Sequence, residues 1–314
     1  MTAQLTADAK GVYVIAATPF ADDGAIDEAS IDSLVEFYVR CGCHGMTILG
    51  VMGEFQKLSE SETLAVARRF IKAARGRLPV IVGVTNPGTT QLVKLAAGAM
   101  EAGAAGVMAM PLTGLKTDEA VTGYMSAVLK ALGPSIPVCV QDYPQLSGVY
   151  FSARCFTGLV DAFPQIVMFK HEEAPGLRKL SEIRRAHDGK AHRRISILCG
   201  NGGIHLPQEY ARGADGAMTG FAFPDMLVAM HDLFAAGKPE AAEDLYDQYL
   251  PLLRHEFQPG IGLALRKELL RRRGAIRSAA VRAPGPRLDA DDRAELDRLL
   301  ARLERKTGKA MRAA

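Results

Sequence analysis

Long hydrophobic runs, a large excess of one charge and abundant aromatic side chains are all missing from this 314-residue sequence. No apolar stretch approaches the roughly 18 residues that a membrane span needs. The first residues also lack the apolar core of a signal peptide. Lysine and arginine number 38 against 35 acidic residues, and only 6% of the residues are aromatic. This composition predicts a cytoplasmic globular protein without a membrane or nucleic-acid partner, because nucleic-acid binding favours basic patches interleaved with aromatic platforms.

Cysteine is scarce and odd in number. The five cysteines are Cys41, Cys43, Cys139, Cys155 and Cys199. They are scattered over a long chain, and two of them lie inside apolar runs. This distribution predicts reduced, mostly buried thiols rather than a disulfide framework.

The small basic excess is concentrated near the end of the chain. The residues concerned are Arg266, Lys267, Arg271, Arg272, Arg273, Arg277 and Arg282. A cluster of charges on one helical segment usually marks a solvated face. We therefore expect a solvated or subunit-facing helix there.

Eight short apolar segments recur along the chain with amphipathic segments between them. They are Val12–Ala17, Met46–Gly50, Pro79–Val84, Gly106–Met110, Ile136–Gln141, Ile166–Lys170, Ile195–Gly200 and Gly216–Gly220. Each is a nearly continuous apolar run, which is typical of parallel strands covered on both faces. The repeated strand and helix units predict a (β/α)8 barrel with its functional site at the carboxyl ends of the strands. A doubly wound open sheet is the structural alternative.

The sequence after the eighth strand predicts helices and no second sheet. The helical segments are Asp225–Ala236, Glu240–His255, Gly260–Arg273 and Asp289–Arg305. We therefore expect residues 1–224 to form the barrel and residues 225–314 to form a helical extension packed on it.

Motifs for nucleotides and metals are incomplete in this sequence. Gly200-Asn201-Gly202-Gly203 follows a strand, but the third glycine of a dinucleotide loop is replaced by His205. His171-Glu172-Glu173 lacks the second histidine of a zinc helix, and Pro175 would break that helix. Cys41-Gly42-Cys43-His44 falls at the amino end of the barrel, where residues contribute to stability rather than to a site. We expect no cofactor and no metal.

Lys170 is the residue whose position most needs an explanation. It ends the apolar run Ile166–Lys170, a strand that should be buried in the barrel. Burial disfavours a charged ammonium unless the group is paired. A neutral amine at the catalytic end of a barrel is suited to condense with a ketone. The alternative is a structural lysine that reaches the strand end or pairs with Glu172 or Glu173.

The ordered motifs of the chain resemble those of the dihydrodipicolinate synthase and N-acetylneuraminate lyase superfamily. The landmarks are Ala17-Thr18-Pro19-Phe20, Gly50-Val51-Met52-Gly53-Glu54, Met110-Pro111, Pro144 to Gly148, Phe169-Lys170, Gly200 and Gly213-Ala214-Asp215-Gly216. The match extends from about residue 11 to residue 305. The resemblance implies a barrel with a carboxyl-terminal helical extension, usually tetrameric, and makes Lys170 the Schiff-base lysine.

Two motifs depart from the pattern of the pyruvate-binding members. Those members usually have hydroxyl side chains at the positions of Val51 and Met52, where they help to hold the substrate carboxylate. The phenol that relays protons at the end of strand five is replaced by Gln141. Alternation along a strand places Tyr143 on the same side as Gln141, so we expect Tyr143 to supply the phenol. An outward-facing, structural tyrosine is the alternative.

The substrate site that the resemblance implies is built largely from backbone donors of two loops. Its residues are Gly50, Val51, Met52, Gly53, Gln141, Gly200, Asn201, Gly202 and Met218, with Lys170 and Tyr143 as the catalytic residues.

Two further features of dihydrodipicolinate synthases proper are absent. Leu146 occupies the position of an arginine that binds a substrate carboxylate, and Leu112-Thr113 replaces a tyrosine pair. Val140-Gln141-Asp142, Gly216–Gly220 and Leu253-Arg254-His255-Glu256 look instead like the sugar-acid dehydratases of the superfamily.

The sequence therefore predicts a Schiff-base (class I) lyase acting on pyruvate or another 2-oxo acid. Both carbon–carbon aldol chemistry and dehydration of a sugar acid remain open. The alternatives are a dihydrodipicolinate synthase proper, which joins pyruvate to aspartate semialdehyde, and a non-catalytic barrel that binds a small acid. The expected partners are a small-molecule 2-oxo acid and further copies of the chain, as a dimer or tetramer.

Overall fold

The strands of a computed structural model, which describes residues 4–311, close into a barrel. They are β1 (Gly11–Ile15), β2 (Gly45–Ile48), β3 (Val80–Gly83), β4 (Gly106–Ala109), β5 (Val138–Asp142), β6 (Ile166–His171), β7 (Ser196–Cys199) and β8 (Gly216–Ala217). Each strand pairs in parallel with the next, and β8 pairs with β1. The predicted barrel is confirmed, and the open sheet is excluded. The eighth strand is shorter than predicted, so Met218–Gly220 lie beyond it.

Helices alternate with the strands and then continue after β8. They are α1 (Glu28–Arg40), α2 (Glu60–Ala74), α3 (Thr89–Glu101), α4 (Asp118–Leu132), α5 (Pro144–Ser147), α6 (Ala153–Ala162), α7 (Leu177–Asp188), α8 (Leu206–Tyr210), α9 (Pro224–Ala235), α10 (Pro239–Glu256), α11 (Gly262–Arg272) and α12 (Ala290–Thr307). Ser59 and Glu62 form a capping box at the start of α2, and Thr117 caps α4.

Two apolar clusters fill the fold. The larger lies between the strands and their surrounding helices. The smaller contains inward-facing side chains of the barrel, among them Ile15, Ile81, Met108, Met168 and Met218. Burial of one such side chain contributes about 1.5–3 kcal/mol. The interior cluster forms a packed floor beneath the carboxyl ends of the strands, as expected for a barrel of this size.

The carboxyl-terminal helices pack on the barrel and on one another. Helix α9 contacts β1, and α10 contacts α9, α11 and α12. The expected solvated helix near the chain end is wrong for two residues of α11, because Arg266 is 7% exposed and Lys267 is fully buried. Lys267 is held by Glu54, whose Oε1 lies 2.5 Å from its Nζ. Helix α11 therefore turns charged side chains toward the barrel.

Within the described residues, no helix combines the length and apolarity that crossing a membrane requires. The five cysteines are unpaired in the structure, and all but Cys41 are buried.

Candidate active site

A cavity of about 770 Å³ opens at the carboxyl ends of the strands. The loops after β2, β5, β6, β7 and β8 supply its walls, together with residues at the end of α10 and the start of α11. The predicted site residues that line it are Val51, Met52, Gln141, Tyr143, Lys170, Asn201, Gly202 and Met218. Gly50, Gly53 and Gly200 are not among the lining residues.

Lys170 lies on β6 between two paired strands. It stands opposite Gln141 of β5 and Leu198 of β7 in the strand register. Its side chain reaches the cavity although the residue is only 4% exposed. The Nζ atom lies 3.1 Å from Oε2 of Glu172. The buried ammonium is therefore paired with one carboxylate, which offsets the cost of its desolvation.

Glu172 is the centre of the polar contacts around Lys170. Its Oε2 also accepts a 2.7 Å hydrogen bond from Nε2 of Gln141. Its Oε1 accepts a longer bond from the backbone N–H of Asn201, and its carbonyl oxygen accepts from Nδ2 of Asn201. Three segments of the chain thus fix a buried carboxylate beside the amine.

Glu172 is not among the predicted site residues. The sequence suggests it only as a pairing partner of Lys170 and, with Glu173, as an alternative proton-transfer group if Tyr143 is structural. Alternation along β6 contains the missing signal. Met168, Lys170 and Glu172 are two residues apart, and Met168 belongs to the interior cluster. Continuing that alternation one step past the strand end places Glu172 on the same inward side as the lysine.

Gly200 is required by the close approach of Glu172. A Cβ atom at this position would overlap the side-chain carboxyl group of Glu172. Its backbone N–H donates to the carbonyl of His171 at 2.9 Å. Gly200 therefore makes room for the carboxylate, and its N–H is already engaged in the structure.

The loop after β2 forms a short 3₁₀ turn over Val51–Gly53. The N–H of Gly53 donates to the carbonyl of Gly50 at 2.9 Å, and the hydroxyl of Thr18 donates to the carbonyl of Gly53 at 2.7 Å. The turn is thus internally hydrogen-bonded. Gly53 does not offer a free donor to a ligand in this structure, in contrast to the expectation from the family pattern.

Tyr143 follows β5 and caps α5 through its carbonyl, which accepts from the N–H of Ser147. Its side chain lines the same cavity as Gln141. Burial, followed by the nearby charge of Glu172, raises the pKa of the Tyr143 phenol. The phenol therefore stays protonated near neutral pH and is able to donate a hydrogen bond into the cavity.

The far wall of the cavity comes from residues that sequence reasoning did not assign to the site. Glu256, at the end of α10, and Arg266, on α11, both line it and form a buried ion pair. The second carboxylate oxygen of Glu256 accepts from the N–H of Ala222 at 3.0 Å. Glu256 belongs to the Leu253–Glu256 segment that looked like the dehydratases, but Arg266 had been assigned to the solvated basic stretch.

A second group of buried polar residues lies on the outer side of β5 and β6. Lys179 of α7 donates to Asp142 at 2.7 Å and to Glu173 at 3.0 Å. Nε2 of His171 donates to the carbonyl oxygen of Gly176 at 3.0 Å. These contacts tie the segment after β6 to α7, which holds Glu172 in place on the opposite side of the strand.

Glu209, on α8, is a buried carboxyl group close to this region. Its Oε2 has no hydrogen-bond partner among residues 4–311. Burial is the largest cause that raises its pKa to about 7, and the charge of Glu172 acts in the same direction. The folded protein therefore binds this proton more tightly than the unfolded chain does.

We expect Glu209 to make stability depend on pH. Its contribution is complete below its unfolded pKa of 4.5 and is lost as the pH rises through about 7. The loss is about 3 kcal/mol in the free energy of unfolding. Glu209→Gln should flatten this decline, measured by urea unfolding between about pH 5 and about pH 8. The exposed Glu240→Gln is the control, and an unchanged slope in Glu209→Gln would refute the assignment.

Comparison with known proteins gives consistent matches over almost the whole chain. The model of the dihydrodipicolinate synthetase family matches residues 8–303. An L-2-keto-3-deoxyarabonate dehydratase from Azospirillum brasilense is 32% identical over 97% of this chain and 97% of its own length. A 4-hydroxy-tetrahydrodipicolinate synthase from Sorangium cellulosum is 33% identical over 72% of this chain and 74% of its own.

Among solved structures, a dihydrodipicolinate synthase from Rhodopseudomonas palustris is similar in both fold and sequence. It superposes with a TM-score of 0.94 at 46% identity, covering 96% of this chain and 100% of that one. The named relatives thus include both synthases and a dehydratase.

Proposed function

The chain belongs to the dihydrodipicolinate synthetase family, and we propose that it is a Schiff-base dehydratase of a 2-oxo-3-deoxy sugar acid. Membership makes it a lyase and sets aside the non-catalytic alternative. The observation that carries the proposal is the contact between Lys170 Nζ and Glu172 Oε2 within the cavity. It places a nucleophilic amine and a proton-accepting carboxylate together. Similarity to a dehydratase over nearly its full length supports the choice of reaction.

In the proposed reaction Lys170 forms the covalent intermediate. Glu172 accepts a proton from the ammonium, and the free amine attacks the ketone carbon. Glu172 then returns its proton to the hydroxyl group of the resulting carbinolamine, which leaves as water and gives an iminium. The iminium draws electrons from the neighbouring carbon. The adjacent C–H bond is thereby made acidic enough for a side-chain base to remove its proton.

Glu172 and Tyr143 complete the elimination in this proposal. Glu172 removes the proton from the carbon next to the iminium and forms an enamine. The enamine expels the hydroxyl group from the following carbon, and the phenol of Tyr143 donates the proton with which it leaves as water. Hydrolysis of the remaining iminium releases the product and Lys170, and the proton taken up by Glu172 returns to the Tyr143 phenolate. Gln141 holds Glu172 through its 2.7 Å hydrogen bond.

Two positions argue against synthase activity. Leu146, which lines the cavity mouth, stands where the synthases of this family carry a carboxylate-binding arginine. Leu112-Thr113 stands where they carry a tyrosine pair. We also propose that the chain acts as a homo-oligomer, as members of this family usually do.

Product analysis tests the reaction class. The protein is incubated with 2-oxo-3-deoxy pentonates and hexonates, and separately with pyruvate and aspartate semialdehyde. We expect loss of one water from a sugar acid, without release of pyruvate, and no condensation. Release of pyruvate would favour an aldolase, and condensation with the semialdehyde would favour a synthase; either result would refute the proposal.

We expect Tyr143→Phe to lower turnover by at least about 10²-fold, because proton-transfer groups typically contribute 10²–10⁴-fold. Formation of the iminium at Lys170 should persist, since the phenol acts after that step. The exposed Tyr150→Phe is the matched control. Near-normal turnover in Tyr143→Phe would show that the phenol is structural and would leave proton transfer to Glu172 or a bound water.

A further inference from the structure

We propose that Arg266 binds the carboxylate of the 2-oxo acid substrate. The inference rests on the proposed function and deepens it, because it names the group that recognises the acid. Arg266 is not among the family landmarks of the sequence. The inference comes from the way α11 packs against the loop after β2.

Arg266 presents its guanidinium to the cavity from within the protein. The residue lines the cavity although only 7% of its surface is exposed. Its Nε donates to Oε1 of Glu256, and its Nη1 contacts the sulfur of Met52. Among residues 4–311, no acceptor is found for Nη2. The Nη1 and Nη2 atoms of the guanidinium therefore form no ion pair with a carboxylate of the described residues.

Within the cavity, the loop after β2 offers a carboxylate no side-chain donor. Val51 and Met52 have no hydroxyl groups, and the N–H of Gly53 is bonded within its own turn. A carboxylate that leaves water for a largely apolar site requires a charged or strongly hydrogen-bonding partner. The guanidinium is a permanent charge with the planar, paired donors that match a carboxylate. Its contact with Met52 places it at the side chain that replaces a family hydroxyl.

The surroundings of Arg266 hold it in this position. Glu256 binds the Nε side, and its other oxygen is occupied by the N–H of Ala222. Burial raises the pKa of Glu256, while Arg266 opposes that shift. Gly262 and Leu263, in the first turn of α11, also line the cavity. The positive end of that helix therefore adds to the attraction for an anion.

Recognition of this kind distinguishes ketones by whether they carry a carboxylate. Pyruvate and hydroxyacetone both have a small ketone that Lys170 is able to attack, but only pyruvate offers a carboxylate to Arg266. Loss of the guanidinium should therefore weaken the binding of pyruvate and leave the binding of hydroxyacetone nearly unchanged. If Arg266 served only to neutralise the buried charge of Glu256, its removal would affect the binding of both ketones equally.

The test is borohydride trapping at Lys170 as a function of ketone concentration, in the wild type and in Arg266→Gln. We expect the pyruvate concentration for half-maximal trapping to rise about 10- to 100-fold, the usual value of a hydrogen bond to a charged group. The value for hydroxyacetone should change by less than about twofold. The double variant Glu256→Gln/Arg266→Gln, which leaves no unpaired carboxylate, should show the same selectivity.

Arg271→Gln is the matched control, because Arg271 lies on the same helix and its side chain is exposed. It should trap both ketones as the wild type does. Equal shifts for pyruvate and hydroxyacetone, or no shift for pyruvate, in both Arg266 variants would overturn the inference and leave the proposed function intact. Failure of wild-type Lys170 to trap any 2-oxo acid would overturn both.

Discussion

Lys170→Ala is expected to lower turnover of the sugar acid by on the order of 10⁴- to 10⁶-fold, as removal of a covalent nucleophile commonly does. The reaction then loses the iminium, so the C–H bond next to the ketone is no longer activated. Steady-state kinetics with the substrate identified by product analysis measures the effect. The change is expected in kcat, because the cavity and its other walls remain.

Lys170→Arg provides the matched control for this result. Arginine keeps a positive charge beside Glu172, whose carboxyl group is otherwise left buried and unpaired. It remains protonated and does not form an imine, so its turnover should be as low as that of the alanine variant. Thermal unfolding of both variants separates loss of chemistry from loss of fold. Substantial turnover by either folded variant would contradict covalent catalysis at this position.

Glu172→Gln is expected to produce the second largest effect, about 10²- to 10⁴-fold in turnover. Glutamine preserves the size of the side chain but accepts no proton. Both the generation of the free amine and the removal of the substrate proton should therefore slow. The rate of hydrogen–deuterium exchange at the carbon next to the ketone, measured with pyruvate, reports the second step when it is compared with the rate of borohydride trapping, which reports formation of the iminium.

Glu173→Gln is the corresponding control one residue further along. Glu173 pairs with Lys179 on the other side of β6 and makes no ion pair with Lys170. Its replacement should leave turnover close to that of the wild type, because the contacts of Lys179 with Asp142 and of His171 with Gly176 still hold the segment after β6 against α7. Equal losses in the two variants would show that the segment after β6 matters only for stability. Normal exchange in Glu172→Gln would assign proton removal to another group.

The barrel was predictable because each strand is buried on both faces, so the sequence of each strand is a nearly continuous apolar run. Such runs identified all eight strands, although β8 contains only Gly216–Ala217 in the structure. Polar side chains within these runs were equally informative. Lys170 stands out in the sequence because burying an ammonium group costs desolvation free energy. The same cost explains why Lys170 is paired with Glu172 in the structure.

The wall formed by Glu256 and Arg266 was not predictable, because it depends on how α11 packs. The local pattern of α11 is rich in arginine, and local charge favours a solvated interpretation. In the folded chain these two side chains are buried instead, because Arg266 pairs with Glu256 and Lys267 pairs with Glu54. These partners are distant in sequence or separated by a turn, and no helical periodicity indicates them.

The loop after β2 shows a different limit of sequence reasoning. The family pattern predicts Val51 and Met52 in the substrate site, and both residues line the cavity. The pattern does not reveal which backbone donors are free, because that depends on the turn conformation. The N–H groups of Gly53 and Gly200 both meet carbonyl groups of the protein, so the motif alone overstated the number of donors available to a substrate.

The mass of the adduct that borohydride traps during turnover tests the central claim most directly. The protein is reduced while it converts a 2-oxo-3-deoxy sugar acid, and the peptide that contains Lys170 is analysed by mass spectrometry. A Schiff-base dehydratase predicts an adduct on Lys170 that retains every carbon of the substrate and has lost the eliminated water. A three-carbon pyruvate adduct, an adduct on another residue, or turnover without any adduct would contradict the account.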